Sequence, residues 1–492
     1  MTTRTLGRIS LLLGSIIFLF SLLVDRIGLG DAHFGAGQLL GLETGVLVFL
    51  TGLYLSFRLP NKKIQFAWDL RSGFDRLLGV PISFWVLGSF FFFYYLFFIV
   101  PVFFDPRGVM WYFTDYLPQG HIVGLDNNSV LKYIHDWLIL GQSPYFDNFI
   151  LYPPLALILL APLLVVGSPV SYHLLTMLTL LFHAIAFLPM LLVKRRDDRI
   201  SLPLLLFILS MFSYGFQFEL ERGQFNVIAF SLCLVAIYLF HLNDVHRFPA
   251  YFLFTMGVQL KIYPVILIFM FIKDWRDWKG NIVRFAGLAF LNFSLLFIAG
   301  PQVFLDFLRS ASERQVNATF WDWNHSLNAF VHQLSYDGFG LFSDEMLMLV
   351  AQYQDVIETV ILISLGLCLL AVLIRSYARN SKGLNPFLLS ICTILALVIP
   401  STSNDYKLPL LTVPMVLLSS SIVLPERRPM RVLAIFLLLV ISAAYWAVQF
   451  PLIVKTGLLS RNFPPLFMIA LGTTILSFII PWKFEETSST TQ

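Results

Sequence analysis

The sequence has few charged residues and almost no cysteine. Only 13% of its 492 residues are charged, whereas 58% are hydrophobic. A soluble domain carries about 25% charged residues, so the composition excludes an ordinary soluble fold. The three cysteines, Cys233, Cys368 and Cys392, all lie inside apolar runs. This placement argues against a disulfide framework and against a cysteine metal site.

Other signals of soluble and nucleic-acid-binding proteins are also missing. The chain has no evident internal repeat or low-complexity segment, and His325 and His332 have no partners at metal-ligand spacing, so we expect them to be structural. The net charge of +4 comes from basic residues in loops that flank apolar runs, which is typical of membrane proteins. We therefore expect a lipid bilayer around the protein, no nucleic-acid partner, no metal and no cofactor.

Apolar runs long enough to cross a bilayer recur along the chain. Mean hydropathy is +0.78, and about 20 apolar residues in a helix cross the hydrocarbon core. With a cytoplasmic N-terminus, 23 of the 33 Lys and Arg residues fall on the cytoplasmic side, as the positive-inside rule requires. The predicted spanning helices are residues 6–25, 36–57, 82–104, 170–193, 200–218, 224–241, 282–299, 355–375, 384–400, 408–424, 432–451 and 463–482.

Two apolar segments do not fit a simple crossing. Residues 250–272 have basic loops at both ends, so this segment must enter and return, with its turn at Lys261 and Pro264. Irregular backbone at membrane depth requires a protein or water cavity beside it. Residues 152–162 are too short to span and predict a short helix in the outer interface. The alternative for them is a true crossing that violates the charge rule.

The predicted fold class is an all-α polytopic membrane protein with two large outer loops that carry interfacial helices. These loops are residues 105–169 and 300–354. Four regions are expected along the chain. They are an accessory N-terminal hairpin with a cytoplasmic loop (1–80), a membrane core (81–425), C-terminal transmembrane helices (426–482) and a disordered tail (483–492).

The first outer loop contains one clear helical pattern, over residues 128–140. Asp126 or Asn127 is the expected N-terminal cap, and Gly141 is the expected end. The apolar residues fall on one side of this helix, which therefore lies flat on the membrane. Its cap should face the cavity.

Polar islands stand at the ends of several apolar segments, where burial of charge is costly. Three of them are residues 219–226, 261–264 and 403–407. The orientation set by the basic loops places all three on the non-cytoplasmic side, beside the first outer loop. We therefore expect them to converge on one site, which would use a substrate delivered in lipid.

Short motifs follow one another through the outer loops and the polar islands. They are Asp126-Asn-Asn-Ser-Val-Leu-Lys-Tyr133, Gly141-Gln-Ser-Pro-Tyr145, Tyr152-Pro-Pro-Leu155, Gly223-Gln-Phe-Asn226, Lys261-Ile-Tyr-Pro264, Asn324-His-Ser-Leu327 and Ser403-Asn-Asp-Tyr406. The ordered set resembles glycosyltransferase family 87, integral-membrane enzymes of the GT-C class that use polyprenyl-phosphate sugars. One departure is that the family's usual spacing back from Gly141 reaches Asn127. Matching the family's loop aspartate to Asp126 therefore assumes a one-residue shift at the helix start.

The resemblance implies a GT-C-like bundle of about 12–14 transmembrane helices, with a catalytic core in residues 81–425. It implies Asp126 as the base that takes the acceptor proton, and Lys261 and Arg222 as ligands of the donor phosphate. The residues expected to contact substrate are Glu219, Glu221, Gln224, Asn226, Tyr263, Asn324, Ser326, Asp405 and Lys407.

These residues also have structural interpretations. Asp115 and Asp136 are alternative bases, and Lys261 could pair with Glu219 or Glu221 rather than with a phosphate. Glu221 could neutralise Arg222, and Asp405 and Lys407 could form a local ion pair. The amide and hydroxyl side chains in the motifs could simply cap helices or turns.

The implied reaction moves one sugar, mannose or a pentose, from polyprenyl phosphate to a glycan or glycolipid acceptor, with inversion. The site would face outward from the plasma membrane. Two alternatives stay open: a transporter or flippase of lipid-linked sugars, and a glycan polymerase or ligase.

Overall fold

The computed structural model describes most of the chain from residue 124 onward and short pieces before it. The described residues are 3–23, 44–45, 48–49, 52, 124–147, 150–192, 206–207, 209–211, 213–242, 244–316, 324–336, 342–380, 383–449 and 462–480. The chain divides into two compact units. One is Met1–Val80 with Phe91–Tyr116, and the other is Pro81–Phe90 with Leu117–Gln492. The four regions expected from the sequence stay a prediction.

The first unit contains helix α1, Thr3–Leu23, where the first span was predicted. A Cβ on Gly14 would collide with the backbone of Phe49, and one on Gly52 would collide with the backbone of Leu11. Glycine thus lets the two backbones approach closely, as it does in many membrane helix pairs.

The second unit is helical, and its described residues form no strand. Three 3-10 segments, Asp244–His246, Tyr263–Met270 and Asp405–Leu411, separate some of its α-helices. The α-helices are α2 (Leu125–Leu140), α3 (Pro154–Leu160), α4 (Leu163–Val166), α5 (Ser168–Leu192), α6 (Tyr214–Arg222), α7 (Asn226–Leu242), α8 (Arg247–Leu260), α9 (Trp278–Leu295), α10 (Pro301–Val316), α11 (Leu327–Tyr336), α12 (Asp344–Gln352), α13 (Gln354–Arg379), α14 (Pro386–Val398), α15 (Thr412–Ser421), α16 (Arg428–Gln449) and α17 (Phe463–Ile479).

Three of the described helices are long and apolar enough to cross a membrane. These spans are Val170–Phe187 within α5, Gln354–Arg379 and Arg428–Gln449. Shorter apolar helices accompany them, among them α7, α14 and α17. The protein is therefore an all-α membrane protein, which confirms the predicted fold class. The number of spans stays a prediction, and the predicted span 82–104 lies outside the described residues.

Two predicted spans differ from the structure. Within 200–218, helix α6 starts anew after Ser213, whose hydroxyl accepts a hydrogen bond from the backbone amide of Phe216. Within 408–424, the chain begins as a 3-10 segment that contains Pro409. The physical reasons are local: a serine cap starts a new helix, and proline lacks the amide that an α-helix needs.

The structure has a break at Lys261, whereas the predicted entry and return of this segment stays a prediction. Helix α8 ends at Leu260, Lys261 is extended (φ −146°, ψ 124°), and the chain continues as the 3-10 segment Tyr263–Met270. Pro264 lies in the first turn of that segment, where a missing amide costs little. The predicted short helix after Tyr152 is also present, as α3 and α4.

The core of the second unit is built around α14. Every residue from Pro386 to Val398 is buried, as expected for a helix that is apolar on all sides. It packs against the 3-10 segment Tyr263–Met270 and against α13, α15 and α17. A smaller core joins α2, α3 and α10 around Phe225 and Leu260. Because these two residues adjoin polar motifs, the smaller core fixes the position of those motifs.

Gly257 allows α7 and α8 to pack closely, which generates a stability prediction. A Cβ there would lie 2.5 Å from Cys233 Sγ and 2.6 Å from the carbonyl oxygen of Ala229. We expect Gly257→Ala to destabilise the protein by about 1–3 kcal/mol through overpacking. Thermal unfolding in detergent measures the effect.

The matched control is Gly366→Ala, in the middle of α13, where a Cβ would meet nothing within 4 Å. It should be neutral or slightly stabilising, because alanine favours helix over glycine by about 1 kcal/mol. Equal unfolding temperatures for the two variants would contradict the close approach of α7 and α8.

Candidate active site

Asp126 lies in the first turn of α2 but does not cap this helix. The cap position is Gly124, in the left-handed conformation (φ 75°), and no side chain caps there. The predicted capping by Asp126 or Asn127 is therefore wrong, whereas Gly141 ends the helix as predicted. The reason is that Gly124 starts the helix earlier than the sequence pattern suggested. The carboxylate of Asp126 is thus left to bind other groups.

The groups that Asp126 contacts lie at the corner between α6 and α7. Asp126 Oδ2 accepts a hydrogen bond from Gln224 Nε2, and Oδ1 lies 3.4 Å from Arg222 Nε. Gly223, between the two partners, is left-handed (φ 64°), and a Cβ on it would lie 3.0 Å from the Cβ of Asn127. Glycine at this corner therefore lets α2 come close enough for Asp126 to reach both neighbours.

Glu219 is completely buried and holds the start of α7. Its Oε2 accepts a hydrogen bond from Asn226 Nδ2 at 2.8 Å, and its Oε1 accepts one from the backbone amide of Val227 at 3.0 Å. A carboxylate at a helix N-terminus satisfies free amides and is favoured by the helix dipole. Glu219 therefore has a structural task of its own. The side chain of Glu221 lies outside the described residues.

Lys261, only 7% exposed, joins the cluster from the break after α8. Its Nζ donates a hydrogen bond to Gln224 Oε1 at 2.8 Å and lies 4.0 Å and 4.3 Å from the ring centroids of Tyr152 and Phe225. Glu219 attracts it electrostatically. Within the described residues, this ammonium group therefore makes one hydrogen bond although it has three donors.

A second buried lysine, Lys407, reaches the same region from the turn before α15. Its Nζ donates hydrogen bonds to the Thr402 carbonyl oxygen at 2.9 Å and to Ser403 Oγ at 3.4 Å. It also lies 4.9 Å from the ring centroid of Tyr263, whose hydroxyl donates to Asn226 Oδ1 at 3.3 Å. Lys407 therefore reaches, through Tyr263 and Asn226, the same polar corner that Lys261 contacts.

Asn324 and Ser326 brace the turn that carries Lys407. Asn324 Oδ1 accepts hydrogen bonds from the amides of Ser326 and Ser403, at 3.1 Å and 2.9 Å. Asn324 Nδ2 and Ser326 Oγ each donate to the Ser401 carbonyl oxygen at 3.0 Å. These bonds fit the interpretation of both residues as turn residues. Their predicted contact with substrate stays a prediction.

His325 joins Asp405 to Ser403, a link that the sequence did not reveal. Its Nδ1 lies 2.9 Å from Asp405 Oδ1, and its Nε2 lies 3.2 Å from Ser403 Oγ. Burial lowers the pKa of the imidazole, although Asp405 opposes this effect. The ring is therefore neutral at pH 7, and the carboxylate places its proton on Nδ1. The only sequence signal was the position of His325 inside the Asn-His-Ser-Leu motif, since Asp405 lies 80 residues away.

Ser403, His325 and Asp405 follow the order of a serine-hydrolase triad, but their surroundings differ from one. The Ser403 residue is completely buried, and its hydroxyl oxygen accepts a hydrogen bond from Lys407 Nζ. The arrangement therefore orients Lys407 rather than activating a nucleophile.

In the described part of the chain, Arg222 has buried N–H groups that form no hydrogen bond. These groups are on Nε and Nη1, although Nε lies 3.4 Å from Asp126 Oδ1. Its guanidinium also lies 5.8 Å from the ring centroid of Phe218. A planar, permanently charged group with free donors suits a phosphate or carboxylate ligand.

The other predicted base candidates are not part of this cluster. Asp136 lies on α2 with its Oδ1 3.2 Å from His135 Nδ1, and the side chain of that histidine is half exposed. Asp115 lies outside the described residues.

Comparison with known protein families gives a match over the middle of the chain. The family model of glycosyltransferase family 87 matches residues 149–401, more than half of the sequence. The chain belongs to glycosyltransferase family 87. A search of curated proteins gave no match.

Membership in family 87 confirms the resemblance of the motifs and makes this protein a membrane glycosyltransferase. The matched range includes the corner of residues 219–226, Lys261 and Asn324, whereas Asp126 and Lys407 lie outside it. The structure therefore adds three charged residues to the polar cluster of the family region: Asp126 from before the matched range, and Asp405 and Lys407 from after it.

The hydrogen bonds of Asn324 to the backbone of Ser401 and Ser403 generate a prediction for Asn324→Ala. Because this change leaves buried backbone groups without their partners, we expect a loss of about 1–3 kcal/mol of stability. The matched control is Asn328→Ala on α11, which loses one weak bond of 3.5 Å to Glu358. Thermal unfolding in detergent compares the two variants. Equal shifts would show that Asn324 does not brace the turn.

Proposed function

We propose that this family 87 protein transfers one sugar, mannose or a pentose, from a polyprenyl-phosphate donor to a hydroxyl of a glycan or glycolipid acceptor. The anomeric centre inverts. One observation carries the proposal: the Asp126 carboxylate lies beside Arg222 and one amide group away from Lys261. The cluster thus combines a proton acceptor with cations that suit a phosphate.

Asp126 is the base in the proposed reaction. Its side chain is 14% exposed, so the carboxylate lies at the edge of the cluster, where an acceptor hydroxyl can approach. The acceptor oxygen forms a bond to the anomeric carbon while the bond from that carbon to the phosphate oxygen breaks. The phosphate leaves with the electron pair, and the acceptor proton passes to Asp126. A carboxylate within hydrogen-bond reach performs this transfer efficiently.

The departing phosphate requires cations or oriented dipoles, because negative charge develops on it. Lys261 has donors beyond its single hydrogen bond, and Arg222 has buried N–H groups that form no hydrogen bond in the described part of the chain. Lys407 approaches the same region. A lipid monophosphate carries less charge than a nucleotide diphosphate. These side chains would therefore stabilise it without a metal.

Asn226 and Tyr263 are the proposed ligands of the sugar hydroxyls. Their mutual hydrogen bond is long, at 3.3 Å, and a substrate hydroxyl can replace it. Glu219, Gln224 and Asp405 already bind neighbouring side chains, so we expect them to support the sugar site. The distribution of Lys and Arg in the sequence supports an opening toward the non-cytoplasmic face of the plasma membrane.

Asp126→Asn tests the base, because it preserves the shape of the side chain and removes its charge. We expect transfer to fall by about 10²–10⁴-fold, the usual contribution of a general base. The measurement is transfer of labelled sugar from polyprenyl-phosphate mannose or pentose to a membrane glycolipid extract, in detergent. Asp136→Asn is the matched control on the same helix and should keep the wild-type rate.

Three results would overturn the proposal. Asp126→Asn could transfer sugar at the wild-type rate, which would remove the base. Activity that requires a pyrophosphate-linked oligosaccharide would indicate a polymerase or ligase. Flux of a lipid-linked sugar across proteoliposomes without any transfer would indicate a transporter.

Lys261→Met tests the phosphate site. Loss of a charged hydrogen bond should raise the KM for the donor by about 10–100-fold, with a smaller effect on the KM for the acceptor. Lys132→Met is the matched control, because Lys132 is an exposed lysine on α2. An unchanged donor KM in Lys261→Met, together with reduced stability, would show that this lysine serves Glu219 rather than a phosphate.

A further inference from the structure

We infer that Gln224 is a positioning residue whose side-chain amide separates the base Asp126 from the phosphate-binding Lys261, so that the two charges do not pair directly. The inference rests on the proposed function and gives Gln224 a different role from that of a sugar ligand. It explains why a neutral residue lies at the centre of a charged cluster.

The geometry of the amide supports this role. Gln224 Oε1 accepts a hydrogen bond from Lys261 Nζ at 2.8 Å, while Gln224 Nε2 donates to Asp126 Oδ2. The residue is only 3% exposed. A carboxamide presents an acceptor at one atom and a donor at the other, so it satisfies an ammonium group and a carboxylate at once. Neither a carboxylate nor an ammonium group in this position would do both.

Two aromatic neighbours hold the amide and the lysine in place. The Tyr152 hydroxyl lies 3.4 Å from Gln224 Oε1 and 3.3 Å from Nε2. The centroid of the Tyr152 ring also lies 4.0 Å from Lys261 Nζ, and that of the Phe225 ring lies 4.3 Å from it. The amide is therefore fixed between the two charges rather than free to turn toward a substrate.

Direct pairing of the two charges would harm the reaction. Asp126 is already near enough to attract Lys261 electrostatically, and opposite charges attract strongly where water is excluded. If they met, the carboxylate would occupy the place of the donor phosphate on Lys261. The amide therefore keeps Lys261 open to the phosphate, while Asp126 keeps its contact with Arg222.

A second carboxylate and lysine in the cluster show the same separation. Asp405 reaches Lys407 through the neutral side chains of His325 and Ser403. In both places, neutral groups hold a buried lysine near a carboxylate without a direct ion pair. This repetition is an independent observation in favour of a spacer role for Gln224.

The test compares Gln224→Ala with the double variant Asp126→Asn/Gln224→Ala. The probe is farnesyl monophosphate, whose affinity for the purified full-length protein is measured in detergent. We expect Gln224→Ala to weaken binding about tenfold, because Asp126 then pairs with Lys261. Removing the Asp126 charge as well should restore binding to within about threefold of Asp126→Asn alone. A structural defect would not be repaired by a second substitution.

Two further variants sharpen the result. Gln224→Glu should weaken binding without rescue by Asp126→Asn, because the new carboxylate itself pairs with Lys261. Gln259→Ala removes another buried glutamine, close to Lys261 on α8, whose Nε2 donates to the Asn292 carbonyl oxygen at 2.9 Å. It should leave probe binding unchanged even if it lowers the unfolding temperature.

The outcomes separate the inference from the proposed function. If the double variant binds no better than Gln224→Ala, the spacer role is wrong while the phosphate site stands. If the wild type does not bind the probe, or binds it no better than Lys261→Met, the phosphate site is wrong and the inference falls with it.

Discussion

The cost of burying charge is the constraint on which this site depends. In a bundle that crosses a membrane, water is not available to solvate an ion, so every buried charge needs protein partners. A direct ion pair would satisfy Asp126 and Lys261, but it would also occupy the place of the phosphate on Lys261. Gln224 donates to Asp126 and accepts from Lys261, and it leaves further donors of Lys261 open to a substrate. Asp405 and Lys407 likewise form no direct ion pair, because His325 and Ser403 link them instead. The cluster is thus stable without substrate and still reactive toward it.

Features that depend on local rules could be predicted from the sequence. The break at Lys261 follows from basic loops on both sides of one apolar segment, together with Pro264. The short helix after Tyr152 follows from prolines and insufficient length. Both are present in the structure. The class of protein was equally accessible, because hydropathy and charge distribution are properties of the chain itself. The polar motifs were found because charge at the end of an apolar segment is conspicuous.

Features that depend on contacts between distant segments could not be predicted. The start of α2 is set by the left-handed Gly124, so the expected capping by Asp126 was wrong. Glu219, on α6, accepts a hydrogen bond from the backbone amide of Val227 at the start of α7. No pattern within 219–226 shows which helix this carboxylate contacts. His325 seemed isolated because its partners lie in a turn far along the chain. In each case the residue type was visible in the sequence, but its partner was decided by packing.

The same contacts help to distinguish an enzyme that transfers a sugar from a transporter that moves a lipid-linked sugar. A transporter moves one group of helices against another around its site. Here the side chain of Glu219, on α6, bonds the start of α7, and Tyr263 joins that corner to the turn that carries Lys407. Sliding one of these elements past the next would leave a buried carboxylate without its partners, which is costly. Catalysis benefits from the opposite property, since fixed groups need little reorganisation when charge develops. The rigidity of the corner therefore favours chemistry at this site over passage through it.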